Sequence, residues 1–170
     1  QKTAYEIVDC DWSSDVCSSD LADCFALSEA VDGAGAGHEL VFGVILGTGT
    51  GGGIAWRGEV RRGPNAIAGE WGHNPLPWPE ADEMPGAECY CGKQGCIETF
   101  LSGPGLSRDY ADASGRLLTA DMVAAEAQSG DPDAARALER YARRLAKSLA
   151  SVINVLDPDV IVLGGGLSNI

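Results

Sequence analysis

The chain has 170 residues, 45% of them hydrophobic, which is enough to bury the core of one domain or of a large part of a bigger protein. Its formal charge of −13 argues against a nucleic-acid partner, because nucleic-acid phosphates select basic surfaces. No apolar run reaches the ~18 residues of a membrane span, and no secretory leader opens the chain. We therefore expect no membrane partner and a cytoplasmic, reducing setting.

The first 21 residues differ in character from the rest. The stretch "CDWSSDVCSSDLADC" (residues 10–24) repeats Ser-Ser-Asp and holds half of the six cysteines. It could be a redox or metal loop, a Ser/Asp-rich linker, or non-native sequence. Because residues 11–21 resemble the in-frame translation of a common sequencing adapter, we predict that they are an assembly artefact. We interpret residues 1–21 as a non-native or disrupted segment.

The next segments alternate between helix and strand patterns. Residues 22–37 show helical spacing of apolar residues and end in glycines, so a helix is predicted there. "LVFGVIL" (residues 40–46) fits a buried strand, and "GTGTGGG" is predicted to follow it as a loop. "IAWRGEV" then indicates a strand that enters a turn at Arg57-Gly58. These patterns predict an α/β protein.

A long helix is predicted near the C-terminal end. Asp131 can cap it, with Pro132 at its first position, and Asp157-Pro158 ends it. "VIVL" is predicted to be a strand, and three glycines turn out of it. Since the chain starts without Met and stops just after this turn, we interpret it as an internal piece of a larger protein. The helix should bury one apolar stripe, formed by Leu138, Ala142, Leu145, Leu149, Val152, Ile153 and Leu156.

Four potential metal ligands lie near the middle of the chain. His73, Cys89, Cys91 and Cys96 provide one imidazole and three thiolates, which is a full tetrahedral set for Zn²⁺. The spacing Cys-x-Cys-Gly-x-x-Gly-Cys brings the sulfurs together through tight glycine turns. Because no coordination position stays open, this zinc would be structural and would fix the Pro-rich loop. The alternative is stray thiols and a surface histidine.

The chain resembles a known family at "AGEWGHNPLPWP", "CYCGKQGCIETFLSGPG" and "DPDVIVLGGGLSN". These segments are similar to the ROK sugar kinases (repressors, open reading frames, kinases), and to their bacterial fructokinase branch in particular. The resemblance implies a two-lobed, actin-like (ribonuclease H-like) ATPase fold and a homodimer in the intact protein. Residues 22–37 would then end the first lobe, and residues 38–170 would form a truncated C-terminal lobe with a zinc loop at residues 73–98.

The resemblance also implies a sugar site. Taken alone, Glu70 and Glu98 would be interpreted as solvated carboxylates. In the ROK kinases, however, the matching positions bind the sugar together with the histidine of Glu-x-Gly-His, which implies Glu70, His73 and Glu98 here. His73 would contact zinc through one ring nitrogen and a sugar hydroxyl through the other, so that the metal orients this residue.

Two glycine-rich segments resemble the nucleotide site of the family. "LGTGTGGG" is not a Walker motif, and a plain hairpin turn would explain it equally well without the resemblance. The resemblance assigns ATP contacts to Gly47, Thr48, Gly49 and Thr50, and it assigns the adenosine loop to Gly164, Gly165 and Gly166. ATP and Mg²⁺ are thus the implied cofactors. The family's first phosphate loop, Asp-x-Gly-Gly-Thr, is absent from this sequence.

The catalytic base of the family has no counterpart here. Its helix begins Asn-Asp-Ala-Asn/Asp-Cys, and the Asp accepts the proton of the attacking sugar hydroxyl. Leu21 stands at that position and cannot accept a proton. Asp23 lies two residues further on, so it should face another side of the helix. We expect the chain as given to be inactive.

The sequence as a whole predicts an ATP-dependent hexose kinase that phosphorylates the 6-hydroxyl, with fructose as the expected acceptor. The alternatives within this class are N-acetylglucosamine kinase and glucokinase. A different class is the ROK-type repressor, which keeps the sugar and zinc site and adds a DNA-binding domain. A third alternative is a zinc-stabilised structural module without ATP binding.

Overall fold

The computed structural model describes residues 18–170, with side-chain environments from Leu21 onward, so the predictions for residues 1–17 lie outside it. The described residues form two compact units. The second unit contains residues 46–50, 71–157 and 165–170, and the first contains the others. The helices and strands are α1 (Ser18–Val31), β1 (Leu40–Leu46), β2 (Thr50–Trp56), β3 (Glu59–Val60), α2 (Ile97–Leu101), α3 (Gly103–Ser114), α4 (Ala120–Gln128), α5 (Pro132–Leu156) and β4 (Val160–Gly164).

The first unit is built on a mixed sheet with the strand order β3-β2-β1-β4. Strands β1 and β4 pair in parallel, and β2 and β3 form an antiparallel hairpin. Helix α1 packs so closely on this sheet that a Cβ on Gly53 would lie 2.4 Å from the carbonyl oxygen of Ala22. Only glycine allows this approach. The buried hydrophobic cluster of the unit consists of Ala26, Val41, Ala55 and Val162.

Several predicted elements of the first unit are confirmed, and two boundaries are wrong. Strand β1 has the predicted bounds, and the turn at Arg57-Gly58 joins β2 to β3 with positive φ angles of 55° and 76°. Helix α1 ends at Val31 rather than at residue 37, because residues 32–37 form turns. The glycine run is only partly a loop, since residues 50–53 already belong to β2.

Helix α5 dominates the second unit, and both of its ends are as predicted. The Asp131 side chain accepts hydrogen bonds from the backbone N–H groups of Asp133 and Ala134. This is the N-cap arrangement that satisfies otherwise unpaired donors. At the other end Asp157 adopts a left-handed conformation, with φ 48° and ψ 56°, and Pro158 follows. The caps therefore define this helix locally.

The predicted buried face of α5 is wrong. Ile153 is 45% exposed, Ala142 is also exposed, and the other members of the expected stripe are only half-buried. The hydroxyl of Tyr141 donates to the Leu101 carbonyl, and that of Ser148 donates to the Arg144 carbonyl. Polar groups can occupy this face because each has a partner there. The buried residues of the helix are Ala134, Ala137, Tyr141, Arg144 and Ser148.

Arg144 connects α5 to two other segments of the second unit. Its Nε donates to Glu83 at 2.8 Å, and its Nη1 donates to Asp109 at 2.8 Å. Glu83 belongs to the zinc loop and Asp109 to α3. Burial raises the pKa of Glu83, but the hydrogen bond from Arg144 and the positive charges nearby outweigh it, so the pKa is lowered overall. The zinc loop is thus attached to α5 by a buried ion pair.

Candidate functional site

The four predicted metal ligands come together in the second unit. One ligand atom from each of His73, Cys89, Cys91 and Cys96 lies within 4.8 Å of all the others. The Sγ atoms of Cys91 and Cys96 are 3.6 Å apart, and the Sγ of Cys89 is 3.5 Å from Nδ1 of His73. A disulfide would need sulfurs about 2.05 Å apart, so these thiols are free.

The two short distances are close to those between ligands of a tetrahedral Zn²⁺ ion. Zinc–sulfur bonds of about 2.3 Å and zinc–nitrogen bonds of about 2.05 Å place tetrahedral ligands about 3.8 Å apart for two sulfurs and about 3.6 Å for sulfur and nitrogen. Burial and its thiol neighbours raise the pKa of Cys96 to about 12, whereas the backbone N–H of Lys93 lowers the pKa of Cys91. A bound cation would favour all three thiolates, so the donor set suits a metal.

His73 differs from the prediction at its second ring nitrogen. Nε2, which was expected to face a sugar hydroxyl, lies 2.9 Å from the hydroxyl of Tyr90. The two rings meet edge to face, with centroids 5.0 Å apart and planes at 87°. Because Tyr90 is 79% exposed, its hydroxyl can leave this position at little packing cost. The phenol therefore occupies the place at which a sugar hydroxyl was expected.

The two predicted sugar carboxylates lie in different units. Glu70 belongs to the first unit, with its Oε1 atom buried. Glu98 is the second residue of α2, whose N-cap is the cluster residue Cys96. Its Oε2 accepts a hydrogen bond of 2.9 Å from the backbone N–H of Thr50. The structure thus links Glu98 directly to the end of the predicted phosphate loop.

A cavity of about 380 Å³ lies beside this loop, entirely within the second unit. Volumes of about 300–1,000 Å³ are typical of small-molecule sites. Of the predicted ATP contacts, Gly47, Thr48 and Gly166 line it. The loop is held against α3, because the N–H of Gly103 donates to the Gly47 carbonyl at 2.7 Å.

The other predicted nucleotide residues do not line this cavity. Gly49 lies beside Glu98, since a Cβ on it would be 2.7 Å from the Glu98 Oε2. Thr50 begins β2, and its buried hydroxyl has no partner among the described residues. Gly165 approaches the Leu46 carbonyl at a φ of 86°, and Gly164 ends β4 in the first unit.

The predicted base position is on α1. Leu21 is 56% exposed, whereas Asp23 is 5% exposed and lies 3.4 Å from the guanidinium of Arg62. The two residues therefore face different sides of the helix, as expected from their spacing. A carboxylate at position 21 would face outward from α1, and Asp23 would not.

Sequence reasoning missed four residues that contribute to these sites. Gly103 and Pro104 line the cavity at the start of α3, where the Ser102 hydroxyl caps the helix by accepting from the Gly105 N–H. The "SGPG" segment, with its capping serine and early proline, could have indicated this helix start. The roles of Tyr90 and Arg144 depend on tertiary contacts and had no signal in the sequence.

Comparisons with known proteins identify relatives of this chain. The chain is 43% identical over 153 residues to the N-acetyl-D-glucosamine kinase of Pasteurella multocida, covering 87% of this chain and 50% of that protein. It is 46% identical over 151 residues to the N-acetylgalactosamine kinase AgaK of Shewanella sp. (strain ANA-3), covering 86% and 48%. The chain spans about half the length of these relatives.

A solved structure extends the comparison to the fold. The ROK family glucokinase from Streptomyces griseus, in complex with glucose and AMPPNP, matches with a TM-score of 0.75 and 32% identity over 87% of this chain and 51% of that one. The mixed α/β architecture is therefore that of an actin-like sugar-kinase fold. The chain belongs to the ROK family, whose profile matches residues 11–170. Among the residues that the structure describes, no helix is long and apolar enough to cross a membrane.

Proposed function

We propose that this chain is part of an ATP-dependent hexose kinase that transfers the γ-phosphoryl group to the sugar 6-hydroxyl. The supporting observation is the hydrogen bond between the Glu98 carboxylate and the Thr50 N–H, at 2.9 Å. It joins a carboxylate suited to a sugar hydroxyl to a glycine loop suited to phosphate oxygens. The neighbouring cavity, lined by Gly47 and Thr48, is large enough for part of a nucleotide.

The expected acceptor changes from fructose to an N-acetylhexosamine. The two relatives described above are named for N-acetylglucosamine and N-acetylgalactosamine. They favour the alternative from the sequence over fructokinase. We therefore propose N-acetylglucosamine as the preferred acceptor, with the enzyme working as a cytoplasmic homodimer.

Each site residue then has a defined task. Glu70, His73 and Glu98 bind sugar hydroxyls, and the loop of residues 47–50 contacts the phosphates, with Mg²⁺ neutralising their charge. The glycines at 164–166 accommodate the adenosine. Zn²⁺ held by the cluster would supply no reactive water, because all four positions are taken by protein ligands. The cluster residues would fix the start of α2 and therefore the position of Glu98.

The chain as given lacks the group that accepts the proton in this reaction. With Leu21 at the base position, nothing there can accept the proton of the attacking hydroxyl. We propose that an Asp at this position is the base of the active enzyme. General-base catalysis contributes about 10² to 10⁴ in rate, so Leu21→Asp in the full-length protein should raise turnover by about that factor.

The test compares Leu21→Asp with Val31→Asp, a carboxylate placed at another exposed position of the same helix. Only the first should gain phosphoryl transfer, followed as kcat/KM for N-acetylglucosamine, glucose and fructose. A preference of about tenfold for fructose would restore the fructokinase assignment. DNA binding without phosphoryl transfer would favour the repressor. Failure to bind ATP would favour the zinc-stabilised structural module.

A further inference from the structure

The Glu98 carboxylate lies at a junction of three segments of the second unit. It follows Cys96, which caps α2 and is 1% exposed, by two residues. The same short stretch is fixed on its other side, because the Ile97 N–H donates to the Asn74 carbonyl at 2.9 Å. The backbone that presents Glu98 is therefore held in place by the zinc loop.

The glycine loop, residues 47–50, lies on the opposite side of Glu98. The Oε2 of Glu98 accepts from the Thr50 N–H at 2.9 Å, and it fills the space that a side chain on Gly49 would need, 2.7 Å from the Cβ position. A carboxylate that accepts a backbone N–H forms a charge-assisted bond, which is stronger than a neutral one. The orientation of this carboxylate and the conformation of residues 49–50 are thus linked.

The link continues to the cavity through the loop itself. The Gly47 N–H donates to the Gly49 carbonyl at 2.9 Å, and the Gly47 carbonyl accepts from Gly103 at 2.7 Å. Gly47 and Gly103 both line the cavity. Residues 47–50 therefore connect Glu98 to the cavity. At the start of β2 the Thr50 hydroxyl is buried and has no partner among the described residues, so this end of the loop has an unmet hydrogen-bonding group.

We propose that Glu98 is a positioning residue that couples the two ligands of the reaction. This inference rests on the proposed function. A sugar hydroxyl that donates to the carboxylate fixes its rotamer, and the hydrogen bond to Thr50 then fixes the loop that receives the nucleotide. Linkage is reciprocal, so the nucleotide must strengthen sugar binding by the same factor. We expect each ligand to tighten the other about tenfold, within the usual range of such couplings.

The experiment measures this coupling factor by calorimetry in the full-length protein. The Kd of N-acetylglucosamine is determined with and without saturating Mg²⁺-AMPPNP. Gly49→Ala should bring the factor close to one, because its Cβ displaces the carboxylate from Thr50 without removing any charge. Glu98→Asp should do the same, since its shorter side chain cannot reach the Thr50 N–H. If Glu98 acted only in folding, both variants would weaken the binding of each ligand alone and leave the coupling factor unchanged.

Glu139→Asp is the matched control for Glu98→Asp. It shortens a carboxylate by the same methylene at an exposed position of α5, outside the sugar and nucleotide sites. It should keep the coupling factor. Full metal content in each variant shows that the cluster is intact.

The outcomes separate this inference from the proposed function. If the parent binds both ligands without coupling, or if Gly49→Ala keeps the full factor, the inference is wrong and the kinase assignment stands. If the parent binds neither ligand, the coupling inference and the kinase assignment are both wrong.

Discussion

The sheet of the first unit and the zinc loop of the second are stabilised in different ways. The sheet is held by strand pairing and by an apolar cluster to which several side chains contribute. The zinc loop contains one short 3-10 helix (Ala81–Glu83), turns and two isolated β-bridges, Pro75 with Cys96 and Glu88 with Gln94. Its conformation therefore depends on a few specific bonds, namely those of the cluster and the ion pair of Arg144. Single substitutions should have graded effects in the sheet and large ones in the loop.

The largest expected effect is on metal binding. We expect the protein to bind one Zn²⁺ per chain and the Cys91→Ser variant to lose it, because three ligands remain where the tetrahedral site needs four. Metal analysis of both proteins is the measurement. The control is Cys24→Ser, which removes an exposed thiol outside the cluster. Zinc retained in full by Cys91→Ser, or absent from the parent, would contradict the assignment of the site.

The next effect concerns the attachment of the loop to α5. Arg144→Ala removes the hydrogen-bonded partner of the buried Glu83 and leaves only the more distant Lys147, whose Nζ is 3.7 Å from Oε2, so it should lower the free energy of unfolding by about 3 kcal/mol. Arg143→Ala, at the adjacent position, removes an exposed pair with Glu139 and should cost less than about 1 kcal/mol. Denaturant unfolding of both variants tests the difference. Equal losses of unfolding free energy would show that the buried ion pair stabilises the fold no more than the exposed pair does.

Acid should weaken the same attachment. The pKa of Glu83 is lowered in the folded protein, so the unfolded chain binds more protons in the window between the folded and the ordinary value. The stabilisation is therefore present above the ordinary value of 4.5 and is lost as the pH falls through the folded pKa. Unfolding measured between these values should show a smaller pH dependence for Glu83→Gln than for the parent. Glu139→Gln, an exposed carboxylate, should behave like the parent.

The smallest effect concerns Tyr90. In the proposed sugar site the Tyr90 hydroxyl, 2.9 Å from Nε2 of His73, would compete with a sugar hydroxyl for this nitrogen. Tyr90→Phe should lower the sugar KM by about two- to fivefold and leave the zinc content unchanged. A higher KM would mean that the phenol itself contributes to sugar binding.

The sequence predicted features that depend on local chemistry. Strand β1 is an apolar run, the ends of α5 are set by Asp131 and Pro158, and the cluster is defined by ligand type and spacing. These signals lie within a few residues of the structure that they determine. The fold class followed from them and from the family resemblance.

The features that were missed depend on segments distant in sequence. Arg144 is buried because Glu83 and Asp109, 61 and 35 residues away, supply its partners, so hydrophobicity could not identify that face of α5. Glu98 was likewise assigned without the Thr50 N–H that donates to it, and Tyr90 was not assigned at all. In each case the partner of the polar group is distant in sequence and becomes its neighbour only in the folded chain.

The missing side chain of Gly49 has an evolutionary consequence. Since a Cβ there would lie 2.7 Å from the Glu98 carboxylate, positions 49 and 98 cannot vary independently. A lineage that acquires alanine at position 49 must first shorten or redirect the acid at position 98, and a lineage that shortens the acid loses the pressure to keep the glycine. Homologous sequences should therefore show the two positions changing together, with glycine retained wherever glutamate is.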